Sequence, residues 1–214
     1  MADAQMVERA NKVIERLIVL DAATANACAF CALLKDLNAR DLSVEKQPHI
    51  DATLMVRAGI LRAAIGTVIA CLDTKGSDRA SVEQIIQLLK DKTLVGYFAS
   101  ARQGSTVALE QAREYYEILQ KDGLLERGRQ FRHEVVAHNL MLETNDLSPI
   151  VYNNALTPIG RDEIYKLADG AERIVIELYA ACGQGKPSCL DWRGRTAKQA
   201  RLFWDTYFSG MAAG

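Results

Sequence analysis

In "QFRHEVVAHNL", residues 130–140, Arg132 directly precedes His133, and His138 follows five positions later, in a chain with only three histidines. An imidazole titrates near neutrality, so it can take a proton from a hydroxyl or return one to a leaving group. A guanidinium holds a phosphate through parallel N–H donors and offsets charge developing on its oxygens. One arginine and two histidines so close together are therefore a candidate set for chemistry at a phosphate.

Helices must position this set, because helical periodicity runs through most of the chain. From Ala4 to about Leu37, apolar residues recur at helical spacing through Val13, Leu17 and Leu20 to Leu34. "LNARDLSVEKQP" breaks the pattern, and a second helix is expected from His49 to Leu72, burying Leu54, Ile60 or Leu61, Ile65 and Ile69. Ser81 is a good N-cap for "VEQIIQLLKD", with Gln84 placed to complete a capping box. A longer helix follows from about Ser105 to Gln120, and Gly123 and Gly128 interrupt or soften its continuation. Thr157 and Pro158 mark a helix start running to Ala181, with Ile164, Leu167, Ala171, Ile174, Val175 and Leu178 on its apolar face. Thr196 is expected to cap the last helix. The economical architecture is all-α, one domain over residues 1–214, with about five to seven helices.

The order Arg, His, four further residues, His in "FRHEVVAHNL" resembles the signature of the HEPN superfamily, in which Arg is followed by Asn, Asp or His and a second His closes the motif. The wider chain is similar to the AbiU-like abortive-infection branch. "RAGILRAAIGTVIACLD" stands for its long helix ending near an Asp, and "SVEQIIQLLKD" for the Ser-started helix that follows. The resemblance covers roughly Met55 to Tyr179. It implies an HEPN-like bundle with its core near residues 50–182, flanked by N-terminal and C-terminal packing helices. It also implies a dimeric, metal-independent ribonuclease of the toxin or phage-defence type, or a non-catalytic relative that binds RNA, a nucleotide or another protein. On the nuclease reading His138 is the general base for a 2′-OH, Arg132 the phosphate clamp, and His133 the orienting residue or acid. The product is then a 2′,3′-cyclic phosphate. Leu140 stands where one toxin subtype has Tyr, so no mechanism through that Tyr applies.

Helix geometry constrains the set. At about 100° per residue, Arg132 and His138 are separated by about 240° of rotation. His138 falls in line with Phe131, Val135 and Leu142, and Arg132 with Val136 and Asn139. One straight helix does not bring the two side chains to one point. Either the helix is distorted there or a second chain completes the site. Arg127, Arg129 and Asn139 are the added candidates for holding RNA phosphates. The plain alternative is a buried, hydrogen-bonded His138 with solvated arginines around it.

Other features carry less. Cys28 and Cys31 sit one helical turn apart among Ala, Phe and Leu, and core packing accounts for them better than a metal or redox site. Cys182 and Cys189 flank a Gly/Pro loop and leave a metal site with a distant His open. "GQGKPS" follows a helix and lacks the order of a phosphate loop. Lys186, Arg193, Arg195, Lys198 and Arg201 form the most basic segment, either a solvated helix start or a track for an RNA backbone. Phe203, Trp204, Tyr207 and Phe208 give the last helix a bulky face for core docking or a dimer contact.

The bulk composition agrees with a soluble globular chain: 49% hydrophobic, 25% charged, net charge −1. The near-neutral charge neither demands nor excludes nucleic acid. The first residues lack the apolar core of a signal peptide, and "AATANACAFCALL" is too short alone to cross a bilayer. Five cysteines without framework spacing point to a reduced, cytoplasmic protein, with no membrane, metal or cofactor expected. The sequence names no RNA target and no antitoxin.

Overall fold

The computed structural model describes residues 2–42, 47–72, 80–132 and 159–212. Among these, eight α-helices occur and no strand: α1 (Ala2–Asn38), α2 (Gln47–Leu72), α3 (Val82–Leu88), α4 (Lys92–Ala101), α5 (Thr106–Lys121), α6 (Leu124–Phe131), α7 (Arg161–Ala181) and α8 (Ser188–Ala212). The all-α expectation holds, and five to seven helices was too few. The reason is local: turns at Leu89 and Gly123 cut what reads as longer periodic runs into short helices.

α1 is the axis of the fold. Ala10, Val13, Leu17, Leu20, Thr24, Ala27, Cys31 and Leu34 are buried along it, a stripe spaced by three or four residues. It packs against α2, α7 and α8, and its first half also meets α3 and α4. Each fully buried Leu on this stripe contributes about 2 kcal/mol of hydrophobic stabilisation. α7 buries Ile164, Leu167, Ala171, Ile174, Val175 and Leu178, as its periodicity predicts, between α1, α2 and α5. In α2, Ile65 and Ile69 are buried as expected, but Leu54 and Ile60 are only half-buried.

Two helix starts differ from the sequence expectation. Gly160, not Thr157, is the N-cap of α7; the Glu163 side chain accepts from its N–H at 2.7 Å. Thr157 and Pro158 lie outside the described residues. Thr196 is buried inside α8, which begins eight residues earlier, at Ser188. Two serines cap other helices, Ser81 as read and Ser105 at the helix start expected there. Ser81 Oγ accepts from the N–H of Gln84 at 3.3 Å, and Ser105 Oγ from that of Ala108 at 3.2 Å. The Gln84 side chain also reaches α1, where its Oε1 accepts from Arg16 at 3.3 Å. α4 is a helix the periodicity did not announce. Asp91 starts it, accepting from the N–H of Thr93 at 2.8 Å while an Arg9 guanidinium pairs with its other oxygen at 2.6 Å.

By length and composition α1 (Ala4–Asn38) and α2 (His49–Leu72) are each long and apolar enough to cross a membrane, with mean hydropathy of 1.9 and 1.7 in their most apolar windows. The short uncharged stretch of α1 is thus part of a much longer continuous helix. The core helix of a soluble protein meets the same criterion, and α1 packs along α2, α7 and α8.

Candidate functional site

Arg132 is the last described residue before the histidines, and the short helix α6 positions it. Gly123, in the left-handed region at φ 66°, turns the chain sharply between α5 and α6. α6 then lies flush on its neighbours: a Cβ at Gly128 would stand 2.3 Å from Ile69 Cδ1 and 3.5 Å from Leu167 Cδ1. Leu124, Leu125 and Phe131 are buried on the same helix. Arg132 is thereby carried to the end of α6 beside a buried anchor. It is half-buried, and its N–H bonds the carbonyls of Gly128 and Arg129. His133, His138 and Asn139 lie outside the described residues.

The two other arginines of α6 have partners. The Arg127 guanidinium pairs with Glu163 on α7 and also donates to the carbonyl of Asp122 at 3.4 Å. Glu163 uses its second oxygen on the Gly160 N–H, so this pair ties α6 to the start of α7. Burial acts to raise the Glu163 carboxyl, but the Gly160 N–H and Arg127 outweigh it and hold the group below the ordinary range. Arg129 pairs with Glu126 at 3.2 Å on its own helix and lies 3.8 Å from Glu83 on α3. Arg132 has no carboxylate partner among the described residues. The structure thus brings Arg127 and Arg129 to one short helix with Arg132, but engages the first two in ion pairs.

A second polar cluster lies in the core, and the sequence reading missed it. Asp21, on α1, is 4% exposed. Its Oδ2 accepts from the N–H of Ser188 at 2.7 Å, from Ser188 Oγ at 2.7 Å and from the Tyr179 hydroxyl at 3.1 Å. Its Oδ1 accepts from the N–H of Cys189 at 2.8 Å. A carboxylate here satisfies the first backbone donors of α8 and complements the positive end of that helix. Burial acts to raise the Asp21 carboxyl, yet the bonds from Ser188 and Cys189 prevail and its pKa lies below the ordinary Asp value. Burial and the Asp21 bond and charge push the Tyr179 hydroxyl and the Cys189 thiol upward. The signal that could have found Asp21 is a lone carboxylate on the apolar stripe, four residues after Leu17. Its geometry is that of a cap, with every oxygen facing donors of the fold.

The cysteines match their packing role. Cys31, Cys71, Cys182 and Cys189 are buried and Cys28 is half-buried, and none of the five is in a disulfide. Burial pushes Cys31 and Cys182 up to about 12 and Cys71 up to about 11. Such thiols are poor nucleophiles and poor metal ligands at neutral pH. Of the basic segment, Lys186, Arg195, Lys198 and Arg201 are exposed. Arg201 approaches Asp36 at 3.8 Å. The side chain of Arg193 lies outside the described residues. Trp204 is a core residue, fully buried with its indole N–H on the Leu33 carbonyl at 2.9 Å, while Phe203 is 46% exposed.

Compared with known protein families, curated proteins and solved structures, the chain matches none.

Proposed function

We propose that this chain is an HEPN-like RNA-binding protein and a metal-independent endoribonuclease of the toxin or phage-defence type. It acts in the cytoplasm as a homodimer. The observation that carries the reading is Arg132. It closes a helix held flush against the fold, and among the described residues no carboxylate neutralises it, whereas Arg127 and Arg129 on the same helix are paired. A half-buried guanidinium at a helix end can present parallel N–H donors to a phosphate. The Arg-His-x4-His spacing adds the acid–base groups. In the proposed mechanism Arg132 clamps the scissile phosphate, His138 takes the 2′-OH proton, and His133 orients the pair or donates a proton to the leaving oxygen. The O2′ then attacks phosphorus and the bond to the 5′ oxygen breaks.

The test is incubation of single-stranded RNA with the full chain in EDTA, with His138→Ala alongside. Cleavage leaving a 2′,3′-cyclic end, lost in His138→Ala, is the expected result. Binding without cleavage in the wild type removes the nuclease and leaves the non-catalytic RNA-binding relative. No interaction with RNA at all contradicts both.

A further inference from the structure

The end of α1, the first half of α2 and the start of α7 meet at a cluster rich in hydrogen-bond donors. α2 packs against both α1 and α7. Arg161 and Tyr165 are four residues apart, so they share one face of α7. Asn38, the last residue of α1, donates its amide N–H to the Tyr165 hydroxyl at 3.2 Å, which holds that ring against the end of α1. Arg57, on α2, stands at the same place: the two groups whose charge acts on it are Arg161 and Tyr165. Arg57 and Tyr165 are half-buried and Arg161 is exposed, so the cluster is open to solvent on one side.

Two guanidiniums are thus set in each other's field. Among the described residues Arg57 makes neither an ion pair nor a hydrogen bond. Asp162, next to Arg161, is exposed, and both oxygens of Glu163 are engaged, one by Arg127 and one by the Gly160 N–H. Burial, and then the Arg161 charge, push the Arg57 guanidinium below its ordinary range, and the phenol offsets them only in part. A guanidinium has donors only. Tyr165 uses its oxygen to accept from Asn38, and its O–H meets no acceptor among the described residues. Turning the Asn38 amide over supplies one, but then buries the Asn38 NH2 where its oxygen now lies unpartnered. A donor is left over either way.

Like charges side by side in a half-buried place cost stability, and an anion that joins them relieves the cost. That anion must accept from several donors at once and balance two positive charges. A phosphate monoester has both properties: it carries about −1.5 to −2 charge near neutral pH, spread over strong acceptor oxygens. A phosphodiester carries less charge and has fewer free oxygens.

We propose that Arg57, Arg161 and Tyr165 form a binding site for the dianionic phosphate of a phosphate monoester. Arg57 and Arg161 grip the phosphate oxygens, and the Tyr165 O–H donates to another. The site uses none of the residues of the Arg132 motif and does not rest on the RNA reading.

The experiment is isothermal titration calorimetry of the full chain in low-salt buffer free of phosphate, with circular dichroism confirming helicity for every variant. Inorganic phosphate and methyl phosphate are expected to bind with a Kd of about 1 mM or tighter. Dimethyl phosphate, a diester, is expected to bind more weakly by about tenfold or more. Arg57→Gln and Arg161→Gln are each expected to weaken methyl phosphate about tenfold or more, Tyr165→Phe about threefold, and Arg132→Ala not at all. Arg161→Gln, on the exposed side, carries the test if Arg57→Gln loses helicity. No saturable binding of either phosphate, or equal binding by a glutamine variant of unchanged helicity, overturns the site. Equal binding of dimethyl phosphate overturns the assignment to a dianion. Binding of inorganic phosphate with methyl phosphate rejected overturns the monoester in favour of free phosphate. Loss in Arg132→Ala with retention in Arg57→Gln puts the phosphate on α6 and overturns the proposal.

Discussion

The Asp21 carboxylate accepts the backbone N–H of Ser188 at 2.7 Å, across 167 residues of chain. That bond, with its companions from Ser188 Oγ, Cys189 and Tyr179, fixes where α8 begins and sets it alongside α1. Asp21→Asn keeps the size but removes the charge and turns an amide N–H toward donors. It is expected to cost about 2–4 kcal/mol, since buried donors lose a charged acceptor. Urea unfolding followed by helicity measures it, and a loss below the scatter of surface variants contradicts the role.

The same group gives a pH dependence whose sign is defined. The Asp21 carboxyl titrates lower in the fold than its ordinary value. Its stabilising contribution is therefore fully present above the ordinary Asp range, near about pH 4, and is lost as pH falls through the lower folded value. The wild type should lose stability on acidification below about pH 4 more steeply than Asp21→Asn. Parallel pH profiles for the two proteins would show that Asp21 is not a source of the acid sensitivity.

Gly183 links α7 to α8 and has no room for a side chain. It sits at φ 61°, and a Cβ there would lie 1.7 Å from the Arg102 carbonyl oxygen. Backbone cannot yield as a side-chain tip does, so Gly183→Ala is expected to cost about 3 kcal/mol or more. Gly185→Ala, with open space around it, is the internal control and should change stability far less. Thermal melting of the two variants side by side decides it.

Much of this was legible in the sequence where periodicity and a cap coincide. α1 and α5 run almost as the apolar spacing predicts, and Ser81 and Ser105 cap as their residue types suggest. α4 was missed because the helix begun at Ser81 reads on through "LLKD", whereas Asp91 ends that run by capping the next helix. Thr196 misled because a cap donated from another helix leaves no local signature. Asp21 supplies it from far along the chain, and Ser188 by itself looks like a loop residue. At the candidate site the residue types were visible and their partners were not. Glu163 lies 36 residues from Arg127, and no spacing announces that pair.

The thiols supply a further check on the packing. Cys28 is half-buried and the other four cysteines are buried. In the native protein at neutral pH, a chromogenic disulfide reagent should modify Cys28 first and the remaining four only as the chain unfolds. Cys28→Ser should remove the fast phase. Rapid modification of all five without denaturant would contradict the buried environments of Cys31, Cys71, Cys182 and Cys189.

Arg132 is the residue on which the functional account turns. The direct measurement is the affinity of the full chain for single-stranded RNA by fluorescence anisotropy in EDTA, comparing wild type with Arg132→Ala at matched salt and helicity. The account predicts that the wild type binds and that Arg132→Ala weakens binding by about tenfold or more, the loss of about 1.4 kcal/mol expected for one charged phosphate contact. Equal affinity of the two proteins, or no binding by the wild type, contradicts it.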